Sequence, residues 1–164
     1  KKQYEYLLKQ PKLGKLFTTL AQSKKRGVVL YIRDAITAEQ IYTDNDGRIS
    51  MVEIMDNNIK TLLIAIYALN DNQEYFYRKL HRKIIELDYA NICMMGDLNG
   101  IVDEKLDHKS QKTTKRTRKI LPKSFFRIIE VMNLKDIWRE RNMEKKQYTF
   151  YSSRHALWSR IDMI

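Results

Sequence analysis

Little in this chain permits covalent or cysteine-based stabilisation: it holds one cysteine, Cys93, placed inside an apolar run. A lone thiol excludes an internal disulfide and any zinc site built on cysteine pairs. It suits a reducing, intracellular compartment, with the thiol itself buried and inert. Glycine is also scarce, at five in 164 residues. No glycine-rich phosphate loop appears among them, which removes P-loop and dinucleotide readings, and no segment repeats along the chain. No apolar stretch reaches membrane-spanning length and no leader pattern opens the sequence, so a soluble protein is expected. Acid is short relative to base, with 20 Asp and Glu against 31 Lys and Arg and a net charge of +11. That excess favours a polyanionic partner, nucleic acid before an anionic membrane surface, although a basic surface that is merely solvated fits the same composition. With 43% hydrophobic residues, the 164 positions suit one globular domain over residues 1–164. The chain opens Lys1-Lys2-Gln3 and closes at Ile164 within an alternating segment, the expectation for a piece of a longer protein.

The most informative stretch is Asn91-Ile92-Cys93-Met94-Met95-Gly96-Asp97-Leu98-Asn99-Gly100. Four apolar residues closed by glycine predict a strand covered on both faces. The Asp-x-Asn that follows falls at a strand's carboxyl end, where ligand-binding groups gather in sheet proteins. Aspartate there can bind a hard cation or accept a proton from water. Asparagine two residues on can orient a water or a phosphate oxygen. The same residues also make an ordinary strand-to-loop turn.

Around this stretch, Val28 to Ile32, Ile49 to Ile54 and Thr61 to Tyr67 predict strands, whereas Tyr4 to Leu20, broken by Pro11 and Gly14, predicts irregular structure. The hexad Thr43 to Arg48 superficially resembles a calcium loop but lacks the acid at the twelfth position and the flanking helices; it predicts a turn. Asp56-Asn57-Asn58 predicts a hairpin. Phe76, Leu80, Ile84 and Leu87 recur at helical spacing, with Asn70 or Asp71 available as a cap. His81 on that helix reads as a surface residue. A strand, helix and strand in this order form a βαβ-type step if the strands are parallel. A polar segment with Asp103, Glu104, Asp107 and His108 leads into the basic run Lys109 to Lys119, a loop that could follow a nucleic-acid backbone or be simply solvated. Lys123 to Asn133 predicts a second helix facing inward through Phe125, Phe126, Ile129 and Met132. Asp136 to Arg139 predicts a short element, Tyr148 to Ser152 a strand, Arg154 to Trp158 a turn, and Ser159 to Ile164 a last strand with Arg160 and Asp162 on one face.

Taken together, Ile66-Tyr67-Ala68-Leu69-Asn70, Met95-Gly96-Asp97-Leu98-Asn99, Leu134 to Arg139, Tyr148 to Ser152 and Ser159-Arg160-Ile161-Asp162 resemble the endonuclease domain of long interspersed, non-LTR retrotransposons. That domain belongs to the exonuclease-endonuclease-phosphatase superfamily and is similar to apurinic/apyrimidinic endonucleases. The resemblance runs from about Leu13 to Ile164 and implies an α/β fold of two mainly antiparallel sheets flanked by helices, here lacking its first strands and its last. It implies nicking of one DNA strand with Mg2+ or Mn2+, leaving a 3′ hydroxyl for an associated reverse transcriptase domain, and hence a nuclear location. On matching positions, Asp97 would activate the attacking water and hold metal, Asn99 would hold that water or the phosphate, and Asp162 would orient a catalytic histidine. Tyr67 and Asn70 would contact the scissile phosphate, with Thr149 and Ser152 near the DNA. Lys24, Lys25, Arg26, Lys115 and Arg116 are the candidate backbone contacts. Leu98 stands where the family has Phe, and Leu69 where it has Pro. The family's metal-ligand Glu precedes the matched segment, its Asp-His pair follows it, and His81, His108 and His155 match neither. The chain as it stands is therefore expected to be catalytically incomplete, a relic or a basic nucleic-acid-binding module being the alternatives. A small-molecule phosphoesterase of the same superfamily is disfavoured by matches outside the active site.

Overall fold

Alternating and continuous apolar runs become strands, and the two stretches of helical periodicity become helices, giving an α/β chain with sheets of five, three and two strands. The structure, a computed structural model, describes residues 2–21, 27–110 and 118–164. Lys24, Lys25, Arg26, Lys115 and Arg116 lie outside the described residues. The chain divides into two compact units, Lys1–Tyr67 with Leu87–Met95, and Ala68–Glu86 with Gly96–Ile164.

In the first unit, β1 (Lys15–Leu20) and β2 (Gly27–Ile32) form an antiparallel pair. β3 (Thr37–Thr43), β4 (Ile49–Asp56) and β5 (Ile59–Tyr67) form an antiparallel meander. The β1–β2 pair packs on β4 and β5, which is why Ile49, Ser50, Met51 and Val52 are buried on both sides of β4. β1 replaces the irregular structure expected before Leu20: Gly14, at φ 90°, turns the chain out of a 3-10 turn, and pairing with β2 stabilises an extended run of weak intrinsic preference. β3 is likewise a strand without a strong alternation of its own. Asn57 and Asn58 adopt φ 49° and 63°, the two left-handed residues of a tight β-hairpin turn. In the 44–48 turn, Asp44 Oδ1 accepts from the backbone N–H of Arg48 at 2.6 Å and of Ile49 at 2.8 Å. That carboxylate is thus directed at backbone. β6 (Ile92–Asp97) runs beside β5, with Leu62 N–H donating to Asn91 O at 2.9 Å.

In the second unit, α1 (Gln73–Leu87) buries Gln73, Phe76, Tyr77, Leu80 and Ile84. Its Tyr77 meets Phe125 of α2 (Lys123–Val131) edge to face, with centroids 5.2 Å apart. α2 turns Ser124, Phe125 and Ile128 inward and leaves Phe126 exposed, one step round from the face expected. The Glu74 carboxylate accepts from Ser124 Oγ at 2.9 Å and from Ser124 N–H at 3.3 Å, capping α2 from α1. Ala68 N–H donates to Asp97 O at 2.8 Å. The Leu62–Asn91 and Ala68–Asp97 bonds keep one sequence offset, so β5 and β6 are parallel and the chain makes the βαβ step. β7 (His108–Ser110), β9 (Leu157–Ser159) and β8 (Phe150–Ser152) form a sheet in that order. Two of these correct the sequence reading: β7 starts the basic segment as a strand, and the turn expected over Arg154 to Trp158 ends at Ala156, its last two residues opening β9. α3 (Ile137–Arg141) is capped by Asp136, whose carboxylate accepts from Arg139 N–H. β10 (Asp162–Met163) pairs with the last two residues of β6.

The expectation of a doubly covered β6 needs correction. All six of its residues, Cys93 included, are only half-buried. Among the described residues β10 lies beside Gly96 and Asp97 alone, so Ile92 to Met95 have a strand neighbour on one side only. No described helix is long and apolar enough to cross a membrane.

Candidate active site

The centre of the second unit's polar cluster is the bend after β6. Asp97 Oδ1 accepts from Asn99 N–H at 2.8 Å, closing a tight turn in which Asn99 takes φ 52°, a conformation asparagine tolerates. Asn99 is 8% exposed. Its Nδ2 donates to Ala68 O at 2.7 Å, and its Oδ1 accepts from Arg118 Nη2 at 3.1 Å. Gln73, 7% exposed, supports the bend from α1. Its Nε2 donates to three carbonyls, Leu69 O at 2.9 Å and Leu98 O and Asn99 O at 3.1 Å each. The Tyr77 hydroxyl donates to Leu98 O at 3.1 Å, and burial pushes that phenol's pKa up.

Asp162 stands opposite Asp97 in the β6–β10 pairing. Burial raises the Asp97 carboxyl above its ordinary range and the Asp162 charge adds to this, while the Asn99 N–H and the Arg118 charge pull it back. The exposed Asp162 is held from behind: Thr149 Oγ1 accepts from Ile161 N–H at 3.1 Å and from Asp162 N–H at 3.2 Å. A half-buried aspartate, an acid across from it, a clamped amide and a guanidinium suit activation of water beside an anion.

No protein-family model matches the sequence. Solved structures do. The endonuclease domain of TRAS1, a telomere-specific non-LTR retrotransposon, aligns with 91% of this chain and 63% of its own, at 13% identity and a TM-score of 0.61. The AP endonuclease LMAP from Leishmania major aligns with 84% of this chain and 56% of its own, at 14% identity and a TM-score of 0.64. The 3′-5′ exonuclease NExo from Neisseria meningitidis aligns with 90% of this chain and 65% of its own, at 15% identity and a TM-score of 0.61. The fold is that of the apurinic-endonuclease-like nucleases. The chain spans 56% to 65% of the length of these three structures.

Within this nuclease fold the predicted site residues separate. Asp97, Asn99, Asp162, Thr149, Ser152 and Asn70 all belong to the second unit. Of these, Asp97, Asn99, Asp162 and Thr149 are joined by hydrogen bonds or strand register. Asn70 is exposed in the turn before α1, and Ser152 closes β8 with its carbonyl accepting from His155 N–H at 3.2 Å. Tyr67 belongs to the first unit, where Arg48 holds it three ways. Tyr67 N–H donates to Arg48 O at 2.8 Å, Arg48 Nη1 donates to Tyr67 O at 2.9 Å, and the guanidinium lies 5.0 Å from the ring centroid.

Sequence reasoning missed Gln73, Arg118 and the buried ionic group beneath β10. Strand alternation puts Arg160 on the face of Asp162, yet it is 3% exposed and turned inward. Its Nε donates to Asp107 Oδ1 at 2.8 Å and its Nη2 to Asp136 Oδ2 at 2.6 Å. Arg139 Nη2 donates to the same Asp107 Oδ1 at 2.6 Å. Arg139 and Arg160 both lie over the Trp138 ring, at 5.0 and 5.2 Å. The Asp136-to-Arg139 and Arg160 motifs are therefore scaffolding that fixes where Ile161 and Asp162 emerge.

Proposed function

We propose that this chain carries the water-activating part of a divalent-metal-dependent DNA endonuclease site, nicking one strand to leave a 3′ hydroxyl from which a reverse transcriptase primes. The carrying observation is the Asp97–Asn99 bend, set opposite Asp162 and clamped by Arg118 and Gln73. In this reading the Asp97 carboxylate accepts a proton from water and Asp162 lies beside it on the neighbouring strand. Thr149 holds the backbone that presents Asp162. The shared fold with an endonuclease domain, an AP endonuclease and an exonuclease supports it.

Among the described residues no three His, Cys, Asp or Glu side chains converge on a cation site. Two carboxylates in register, one of them raised by burial with the other's charge adding to it, nevertheless fit Mg2+ or Mn2+, hard ions held by one or two carboxylates together with waters and substrate phosphates. Asp97 and Asp162 would hold it, and the cation, when bound, neutralises charge that develops on the phosphate.

The test is nicking of supercoiled plasmid with Mg2+ and with EDTA, using this chain, a chain extended at both ends, and Asp97→Ala in each. Metal-dependent nicking by the extended chain, lost in Asp97→Ala, is the expected result. A folded extended chain that binds DNA yet never nicks would replace this reading with a basic binding module.

A further inference from the structure

Arg118 follows a run of basic residues, and its sequence surroundings do not mark it out. Its backbone, however, is delivered to the site. Ile101 N–H donates to Lys119 O at 3.1 Å and Leu121 N–H donates to Ile101 O at 2.9 Å, a parallel bridge two residues beyond Asn99. Gly100 permits the approach, since a Cβ there would stand 2.7 Å from a Leu121 methyl. The guanidinium then lies 5.0 Å from the Phe150 ring centroid, with one N–H on Asn99 Oδ1.

That single bond changes what Asn99 can do. Its oxygen is taken by Arg118 and its Nδ2 by Ala68 O, so the amide has at most one N–H left for a phosphate. Arg118 has one donor engaged among the described residues and a planar fork that matches phosphate oxygens. Without a bound metal the two carboxylates repel a phosphodiester, and a guanidinium on the same site offsets that repulsion.

We propose that Arg118 is the phosphate clamp of this site, bound to Asn99 through one N–H and offering its remaining donors to a non-bridging oxygen of the phosphodiester. Phe150 limits rotation of the guanidinium and keeps water from one of its faces. The inference rests on the reading of Asp97–Asn99 as a phosphodiester site.

The probes are the dinucleotide d(TpT), titrated by NMR while the Arg118 Nε–H and Asn99 amide signals are followed, and a 20-base-pair duplex, titrated by anisotropy over a salt series. Arg118→Gln should bind d(TpT) at least tenfold more weakly and reduce the duplex salt slope by about one. Arg118→Lys should restore the slope and leave d(TpT) binding several-fold short, because an ammonium lacks the planar fork that fixes the donors towards amide and phosphate together. Wild-type affinity and slope in both variants, each melting as the parent does, would overturn the proposal. Plasmid nicking separates the two readings. Diester binding through Arg118 without nicking by the extended chain leaves the clamp standing and removes the nuclease. Nicking at wild-type kcat and KM in the extended chain carrying Arg118→Gln removes the clamp and leaves the nuclease.

Discussion

At the scale of single residues, the site is held less by its carboxylates than by amides that satisfy buried carbonyls. Gln73 Nε2 serves Leu69 O, Leu98 O and Asn99 O together, and of these Leu98 O keeps a second donor in the Tyr77 hydroxyl. Removing the amide leaves the carbonyls of Leu69 and Asn99 buried without it. Gln73→Ala should therefore lower stability by about 2 kcal/mol, the usual penalty for unsatisfied buried polar groups, read as a lower urea midpoint. Gln73→Glu should be worse than Gln73→Ala, since its carboxylate would face three carbonyl oxygens. A midpoint for Gln73→Glu equal to the parent's would show that the three bonds do not hold the bend. The Asp-x-Asn was legible because it closes an apolar run and falls in order among the other matched motifs; by itself it reads equally as a turn. Gln73 and Arg118 were not, because their partners are 25 and 19 residues away, and only the folded backbone brings them together.

At the scale of elements, the ionic group under β10 does what a longer strand would otherwise do. Asp107 is fully buried and bonded to Arg160 and Arg139, and Arg160 reaches on to Asp136 at the start of α3. Burial alone would raise the Asp107 carboxyl, but the hydrogen bonds and charge of Arg160, with further bonds from Asp103 N–H and Arg139, hold it below the ordinary range. A depressed folded pKa gives stability that is present above the unfolded carboxylate value of about 3.9 and is lost as pH falls through the folded value. Asp107→Ala takes one of two ion-pair partners from the buried Arg160, which keeps Asp136, and the carboxylate partner from the half-buried Arg139, and should remove about 3 kcal/mol at pH 7. Asp107→Asn should flatten the loss of stability as pH falls below about 4 in urea unfolding, whereas an unchanged acid slope there would assign that loss to other carboxylates. In the first unit the sensitive point is the 44–48 turn. Gly47 has φ 68°, and a Cβ there would lie 2.3 Å from Ala21 N, so Gly47→Ala combines left-handed strain with a backbone clash. A loss of about 3 kcal/mol is expected in thermal or urea unfolding. Strands with strong patterns, such as β4 and β5, and both long helices were legible. β1, β3, β7 and β9 were not, because each is extended by its pairing partner more than by its own residues.

At the scale of the whole molecule, the fold class was legible from motif order, while the charge excess suggested the partner and left open which cations meet it. The 31 basic residues include the Lys24-Lys25-Arg26 triplet and the Lys115-Arg116 pair, both outside the described residues, and Arg118, which the structure sets on Asn99 near Asp97. If the charge of +11 serves a DNA backbone, log affinity for a 20-base-pair duplex should fall with log salt at a slope of about −4 to −6, equivalent to about four to seven neutralised phosphates. Asp97→Ala removes a negative charge and should leave that slope unchanged, because water activation and backbone binding are different tasks. Replacing Lys24, Lys25 and Arg26 by Gln should flatten the slope in proportion to the phosphates they meet, and replacing Lys115 and Arg116 by Gln should do so independently if each run meets its own part of the duplex. Losses that do not add would place both runs on the same phosphates. A slope near zero in the parent would mean that the basic residues serve solubility, and recognition of DNA would then fall to the site formed by Asp97, Asn99 and Arg118 alone.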